Sequence, residues 1–383
     1  MKARPFIWLA VSALCLLSCG KEDRSVTPQI AFAPPTVAVP TVSTRALNQA
    51  IQGAEYPKAE DFSVFVATTD SEWAESADAP ATTAFIGKTG GGSVNPYGVS
   101  CGYNPGIGAS GAWDPESGNA SYGGGTAYYW DSSIAEKYLQ TQAFSPSGAH
   151  LDMNSETRLA HSWATGFTFT NFTTPAVGSQ YDLLYSDRTY NRQKGDGAPI
   201  AINFHHALAS IVVRAAKQSA TYEHITLHVT DIKLLNVYRT GTFEQGLKSA
   251  RNDASPYTDG YPRWTPDTGS EGTLSGFIPQ GDLEFTNYES STGWLVSNEA
   301  LLLMPQPMDH NAATTHVVQL KAEFTVEDPD GRPVKQEFTI PLNSLDVASW
   351  LPGKQYVYTL YFNPQFVNVA VRVVDWIQET IEL

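Results

Sequence analysis

Hydrophobic and polar residues alternate along most of the chain, with the period of two residues that predicts β-strands. Residues 61–68 (DFSVFVAT) are a clear example. Only residues 132–142 show a modest helical pattern. Short strands without a sustained 3.6-residue period are typical of β-sandwiches, so the pattern predicts an all-β fold. Further strand-like stretches lie at 166–172, 200–215, 224–238, 300–304, 316–327, 334–340, 355–362 and 367–376.

Glycine and aromatic residues dominate residues 87–130, where the alternation stops. Glycine runs of this kind are typical of loops rather than of strand interiors. Aromatic rings offer flat apolar faces that stack on sugars and on receptor side chains. The segment is therefore a candidate adhesive surface, and the alternative is a long loop folded over the N-terminal domain. The candidate residues of this surface are Trp113, Tyr122, Tyr128 and Tyr129.

Residues 1–19 have the pattern of a bacterial export signal, with a basic start and an apolar run at 6–17 that is short for a bilayer span. The run ends in LLSC, which places Cys19 where a lipoprotein signal is cut and the cysteine receives its lipid. We predict a signal peptide over residues 1–18 and membrane attachment through lipid on Cys19 alone. The GKEDR sequence that follows resembles the surface-export signal of Bacteroidetes lipoproteins, which implies the outer membrane and the cell surface. The alternatives are a secretory signal whose cysteine is incidental and an ordinary polar tether.

Charge and cysteine content exclude several classes of function. The net charge is −15 and only 16% of the residues are charged, so the chain lacks the basic face that nucleic-acid binding requires. Cys15 leaves with the signal and Cys19 is lipidated, which leaves Cys101 alone. The mature chain therefore has no intramolecular disulfide and no thiolate zinc site.

Motifs that carry catalysis are incomplete. Gly87-Lys88-Thr89 ends like a phosphate-binding loop, but Thr82 stands where such a loop requires glycine. His224 and His228 have the spacing of metal ligands, but Ile225 stands where a zinc protease has its glutamate. We therefore predict a protein that is not an enzyme, without catalytic, cofactor-binding or metal-binding residues. A surface hydrolase, the alternative, would need two acids or a nucleophile–base pair in one cleft.

A series of short segments along the chain carries a family resemblance. The segments are Tyr129-Trp130 with Phe144-Ser145-Pro146, YDLLY at 181–185, FHHALASIVV at 204–213, LLMPQ at 302–306, WLPGKQYVY at 350–358 and VRVVDW at 371–376. In the same order they resemble the motifs of the fimbrillins, which are subunits of type V pili of Bacteroidetes (Mfa-like and FimA-like proteins). We expect the side chains that carry the resemblance to pack the core, with His206 hydrogen-bonded there rather than ligating a metal. These structural residues are Phe204, His206, Leu208, Trp350, Tyr356 and Trp376.

The resemblance implies two transthyretin-like β-sandwich domains in tandem, at 46–196 and 197–383, after a tether and removable strand at 19–45. It also implies assembly without a covalent bond. An extracellular protease cuts after an arginine, the first strand leaves, and a neighbouring subunit donates a strand into the opened groove. Here the expected cut lies between Arg45 and Ala46, and the expected removable strand comprises Val37-Ala38-Val39 and Val42.

The resemblance leaves the place of the chain in a fibre open. Only seven residues follow Trp376, which favours a tip-like subunit that accepts a strand and donates none. The alternatives are an anchor subunit that keeps its lipid and first strand, and a surface lipoprotein that binds glycans. The expected partners are other fimbrial subunits, by β-strand addition, and a receptor or glycan on a host or bacterial surface.

Overall fold

A computed structural model of the chain forms β-strands and short 3-10 turns throughout the part that it describes. The described residues are 29–37, 56–73, 82–86, 97–107, 111–130, 134, 136–148, 158–177, 179–194, 196, 199–222, 225–246, 262–275, 283–285, 294–295, 300–309, 317–327, 332–363 and 366–375. In chain order the strands are β1 (Thr36–Val37), β2 (Phe62–Thr69), β3 (Thr83–Ile86), β4 (Val99–Asn104), β5 (Ala112–Asp114), β6 (Tyr138–Ser145), β7 (Arg158–Ser162), β8 (Gly166–Thr173), β9 (Leu184–Ser186), β10 (Thr189–Arg192), β11 (Asn203–His206), β12 (Ala209–Lys217), β13 (Thr226–Tyr238), β14 (Thr240–Glu244), β15 (Arg263–Pro266), β16 (Glu271–Leu274), β17 (Leu283–Phe285), β18 (Trp294–Leu295), β19 (Leu301–Leu303), β20 (Gln319–Glu327), β21 (Pro333–Pro341), β22 (Lys354–Phe362) and β23 (Val367–Asp375).

The first sheet is built mainly from the N-terminal half and has the strand order β1-β11-β9-β6-β2-β4-β5. β10 pairs with β6 and β3 pairs with β2. One face of this sheet covers a core that includes Phe62, Val64, Trp113 and Phe204, all nearly inaccessible to solvent.

The helical expectation for residues 132–142 is wrong, because β6 occupies residues 138–145 and pairs with β2. Leu139 of β6 packs into the first core, whereas Phe144 packs into a second core on the opposite face of the sheet. Since both faces are covered, every residue from Leu139 to Ser145 is buried. The strand therefore lacks the alternation that marks a half-exposed strand.

The C-terminal half forms two sheets that pack face to face. One has the order β18-β12-β22-β23 with β19 beside β12, and the other has the order β16-β13-β20-β21 with β17 beside β13. Apolar side chains of both sheets meet in one core, in which Trp350, Tyr358 and Leu320 are fully buried. These layers confirm the prediction of an all-β chain with tandem β-sandwiches.

A four-stranded sheet with the order β15-β14-β8-β7 joins the two halves of the chain. Its core is aromatic and includes Phe169, Phe243 and Trp264, together with Phe65 from the first sheet and Met304 from the C-terminal half. The indole Nε1 of Trp264 donates a hydrogen bond to the carbonyl of Ala207 at 2.7 Å. The two halves therefore share a packed core.

The strand-like stretch 200–215 is divided between two sheets. β11 pairs with β9 of the first sheet, and β12 pairs with β22 of the C-terminal sheet. Between them, the backbone N–H of Ala207 donates to the carbonyl of Leu183 at 2.8 Å, which fixes the crossing point. The domain boundary at 196/197 stays a prediction, and β11 beyond it still belongs to the first sheet.

No helix within the described residues is both long enough and apolar enough to cross a membrane. The signal segment 1–18 lies before the described residues, so this finding leaves its prediction untested.

A half-buried histidine packs against the shared core, and we expect its protonation to destabilise the fold. The ring of His161 stacks on Phe65 with 4.3 Å between ring centroids. Its Nε2 lies 2.9 Å from Gln142 Oε1. Burial, with a smaller effect of positively charged Arg188, lowers the pKa of His161 from its ordinary 6.5 to about 3. The neutral ring is therefore the form that the folded chain accepts.

We predict that His161 contributes to unfolding in mild acid. Because its folded pKa lies below the unfolded one, its contribution is complete above pH 6.5 and decreases as the pH falls. The free energy of unfolding should fall by up to about 1.4 kcal/mol per pH unit between pH 6 and 4 through this residue. In urea titrations across this range, His161→Phe should show a shallower decrease than the unmodified chain. His228→Gln, on the outer face of β13, is the control and should keep the original slope, and equal slopes for both variants would contradict the prediction.

Candidate functional site

Residues 29–37 lie as an extended segment between the two ends of the first sheet. On one side, Phe32 and Trp113 exchange backbone hydrogen bonds of 2.7 and 2.9 Å, and the N–H of Ile30 donates to the carbonyl of Tyr128 at 2.8 Å. On the other side, next to β11, the N–H of Ala33 donates a hydrogen bond to the carbonyl of Ile200 at 2.8 Å. The N–H of Ile200 donates to the carbonyl of Ala31 at 2.9 Å. The segment therefore joins β5, at one end of the sheet, to β11, near the other end.

Side chains of this segment alternate as the pleat of a strand requires. Ile30 and Phe32 are fully buried in the first core, whereas Ala31 lies on the opposite face and is 6% exposed. The ring of Phe32 meets Phe62 edge-on with 6.1 Å between centroids. Burial of each large side chain contributes about 1.5–3 kcal/mol. Two such anchors hold the segment in the sandwich.

Tyr56 lies in the core beside this segment. Its hydroxyl donates to the carbonyl of Asp61 at 2.9 Å and lies 2.8 Å from the hydroxyl of Ser145. Its ring packs against Phe62 and Phe204 with centroid distances of 5.7 and 5.5 Å. Burial raises the pKa of Tyr56 far above its usual range, so the hydroxyl stays protonated and acts structurally.

Removal of residues 29–37 would leave two unpaired strand edges above an apolar core. The N–H groups of Trp113 and Ile200 would lose their acceptors, and the carbonyls of Tyr128, Ile200 and Ile202 would lose their donors. A buried backbone group without a partner costs about 1–3 kcal/mol. The opened groove therefore favours refilling by another extended strand, which could restore both the hydrogen bonds and the apolar anchors.

Of the removable strand predicted at Val37-Ala38-Val39 and Val42, the structure describes only Val37, whose Cα pairs with that of Phe204 in β11. The removable strand stays a prediction. The anchors are Ile30 and Phe32, whereas residues 38–42 lie outside the described residues. The prediction relied on the β-branched residues after Pro34-Pro35 and did not include the residues before these prolines. The alternation Ile30-Ala31-Phe32-Ala33, large and small in turn, was the signal that could have found them.

Two of the sequence motifs meet next to this groove. Phe204 is fully buried beside Phe32 and Phe62. His206, two residues further along β11, has its Nδ1 2.9 Å from Oδ2 of Asp182 in the YDLLY segment. Both side chains are almost completely buried, so this contact joins the two motifs in the interior. Leu208 packs in the shared aromatic core.

Hydrogen bonds between its own residues hold together the motif at residues 350–358 (WLPGKQYVY). Trp350 Nε1 donates to the hydroxyl of Tyr358 at 2.9 Å. The hydroxyl of Tyr356 accepts from the N–H of Leu351 and donates to the carbonyl of Ser349. Trp350 and Tyr356 are buried at the edge between loop and β22, a packing position that matches their expected structural role.

Trp113 does not belong to an exposed adhesive surface, because its side chain is 1% exposed and its Nε1 donates to the carbonyl of Glu60. Tyr129 is 43% exposed, and Tyr122 and Tyr128 are half-buried. The backbones of Tyr128 and Tyr129 border the groove, since they pair with Ile30 and Gln29. The Gly-rich sequence around Trp113 gave no indication of its burial.

Four of the predicted site residues fall outside the described part of the chain. Cys19, Arg45, Ala46 and Trp376 lie outside the described residues. Among those described, no group of three His, Cys, Asp or Glu side chains could hold a metal ion. His228 lies 3.8 Å from Glu327, at the outer face of β13, while His224 is not described.

A family model, described as fimbrillin-like, matches residues 55–376. The chain belongs to the fimbrillin-like family. This membership confirms the resemblance carried by the sequence motifs and identifies the chain as a fimbrial or cell-adhesion protein of the Mfa type. Among curated proteins, no sequence match was found.

Solved structures of fimbrial proteins resemble this fimbrillin-like chain. A crystal structure of a fimbrial protein from Bacteroides vulgatus ATCC 8482 is 14% identical, with a TM-score of 0.56 over 90% of this chain and 99% of that one. The tip fimbrial protein Mfa3 from Porphyromonas gingivalis, with a C-terminal truncation, is 9% identical, with a TM-score of 0.33 over 91% of this chain and 100% of that one. At these identities the first likeness shows the fold alone, and the second carries no argument.

We predict that Phe32 anchors the inserted segment. Phe32→Ala should lower the free energy of unfolding by about 3–5 kcal/mol, because it leaves a cavity among Phe62, Phe204 and Ile30. The amide protons of Trp113 and Ile200, which face the segment, should exchange with solvent faster. Urea titration and hydrogen-exchange measurements check both effects. Pro34→Ala, at an exposed position, is the control, and unchanged exchange at Trp113 and Ile200 in Phe32→Ala would rule out the anchoring role.

Proposed function

We propose that this fimbrillin-like chain is a subunit of cell-surface fimbriae that assembles by β-strand replacement in the groove occupied by residues 29–37. In this proposal the chain is exported as a lipoprotein and held at the outer membrane by Cys19. A protease then cuts after Arg45, and a strand of a neighbouring subunit replaces the first segment. The observation that carries the proposal is the insertion of residues 29–37 between the two ends of the first sheet.

The position of Arg45 supports this sequence of events. It follows the inserted segment in the chain, so a cut between Arg45 and Ala46 separates residues 29–37 covalently from the remainder of the sandwich. The same cut separates the remainder from the lipid at Cys19. One proteolytic event would therefore release the subunit from the membrane and free its groove for exchange.

The energetics favour exchange over simple loss of the segment. The two apolar anchors and the backbone hydrogen bonds hold the segment after its covalent link is broken. A donated strand that offers equivalent contacts replaces them at little net cost, so its local concentration and its fit determine the outcome. The product would be stable without any covalent bond between subunits.

The burial of Trp113 weakens the glycan-binding alternative. A glycan platform needs flat aromatic faces open to solvent, and Trp113 is the largest ring of the predicted set. The exposed Tyr129 borders the groove, which favours a role for this edge in contact with a neighbouring subunit.

The proposal predicts a cut at one bond and a gain of strand-binding activity. Limited trypsin digestion of the purified chain should yield a fragment that starts at Ala46, identified by N-terminal sequencing. The cut chain should then bind an excess of labelled peptide with the sequence of residues 27–37, or form oligomers with itself. Oligomers indicate a subunit that both donates and accepts, and peptide capture alone indicates a terminal, tip-like subunit.

Arg45→Gln should abolish both the cut and the binding, and Arg24→Gln, also before the sandwich, should leave both unchanged. A cut chain that neither captures the peptide nor oligomerises would overturn strand replacement. An intact Arg45–Ala46 bond in fimbriae purified from the cell surface would favour the anchor alternative instead.

A further inference from the structure

The residue at the start of the inserted segment, Gln29, is held by two carboxylates. Its side-chain amide Nε2 donates to Asp114 Oδ2 at 3.0 Å and to Glu116 Oε2 at 3.3 Å. Asp114 is fully buried at the end of β5, whereas Glu116 is exposed. This polar contact lies one residue before the anchor Ile30.

Among the described residues, three neutral donors bind the buried carboxylate of Asp114. Oδ2 accepts from Gln29 and from Asn104 Nδ2 at 2.9 Å, and Oδ1 accepts from the N–H of Ser117 at 2.7 Å. Among the described residues, no lysine or arginine forms an ion pair with Asp114 or Glu116. Two of the three donors belong to the body of the sandwich, and the third leaves with the segment.

Asp114 differs in this respect from another carboxylate near the groove. Asp61 Oδ2 accepts from Ser100 Oγ at 2.8 Å and from the N–H of Asn119 at 3.2 Å, and both donors stay in the chain after a cut at Arg45. Opening of the groove therefore leaves Asp61 hydrogen-bonded but removes a donor from Asp114. A buried charge that loses a hydrogen-bond donor is destabilised more than a neutral group would be.

We propose that Asp114 and Glu116 form a charge-selective subsite of the groove, which favours incoming strands with a lysine, an arginine or an amide at the position of Gln29. The subsite rests on the proposed strand replacement and specifies its partner. A cationic side chain restores the lost donor and pairs with two negative charges, as a charge-assisted hydrogen bond does. An aspartate or glutamate there would place a third carboxylate beside two others. An ionised carboxylate cannot donate a hydrogen bond, so the lost donor would not be restored.

The preferred donor strand therefore has a defined pattern. A side chain with N–H groups comes first, followed by a large apolar residue, a small residue and a second large apolar residue, as in Gln29-Ile30-Ala31-Phe32. The apolar pair provides the affinity through burial, and the first position provides discrimination through charge.

The test uses the full chain cut after Arg45 and freed of protease. Labelled peptides with the sequence of residues 27–37 compete for the groove, with glutamine, lysine or glutamate at position 29. We expect the lysine peptide to bind at least as tightly as the glutamine peptide, and the glutamate peptide to bind at least about tenfold more weakly, which corresponds to about 1.4 kcal/mol. The advantage of lysine should decrease from 50 to 500 mM salt, since Glu116 is exposed to screening ions.

Two variants test the preference of the subsite independently of strand binding in the groove. Glu116→Lys, at an exposed position, should reduce the preference for lysine over glutamate, and Asp114→Asn should reduce it further. If Asp114→Asn fails to fold, Glu116→Lys decides the question alone. Equal binding of all three peptides to the unmodified chain would overturn the subsite and leave strand replacement intact. Failure of all three peptides to bind, the glutamine peptide included, would overturn strand replacement itself.

Discussion

Strand edges that border an apolar core expose unpaired backbone groups unless another strand covers them, and residues 29–37 cover two such edges of the first sheet. Their backbone pairs with β5 and Tyr128 on one side and with Ile200 and β11 on the other. Without them, both ends of the sheet would present unpaired N–H and C=O groups beside a core of Phe62, Phe204 and Trp113. The segment therefore completes the first domain, although it lies before the predicted cleavage site at Arg45.

The sheet edge formed by β21 is protected in a different way. β21, an edge strand of the C-terminal sandwich, begins with Pro333 and ends with Pro341. Its outward face carries Glu337, which is bridged to Lys321 of β20 at 3.0 Å. Prolines and outward charges discourage pairing with another chain. The groove has apolar walls instead and is covered by residues 29–37, so prolines and charges protect the edge at β21 whereas a strand of the same chain covers the groove.

The family motifs are explained by packing rather than by chemistry. His206 and Asp182 meet in the interior, Trp350 bonds to Tyr358, and Trp264 holds the crossing point at Ala207. Each contact ties a loop to a strand or one sheet to the next. The shared aromatic core beneath β8 and β14 then connects the two halves.

Local pattern was sufficient for much of the fold. The strands at 226–238 and 319–327 follow the alternation of the sequence, because for most of its length each has one face in a core and the other towards solvent. The strands at 62–69 and 354–362 also follow the predicted pattern, although every residue of 62–69 is buried. The same reasoning failed for β6, because its buried positions include the polar residues Gln140, Thr141 and Gln142, and for residues 29–37, whose prolines resemble a linker.

The sequence by itself determined that the chain is all-β, acidic and related to the fimbrillins, since composition, alternation and short motifs are local properties. Only the tertiary structure decided that Ile30 and Phe32 fill the first core, that Trp113 is buried, and that Gln29 meets Asp114. These contacts join residues that are far apart in the chain. Their physical cause is the closing of a sheet around one core, and no local pattern records which distant edges that closure brings together.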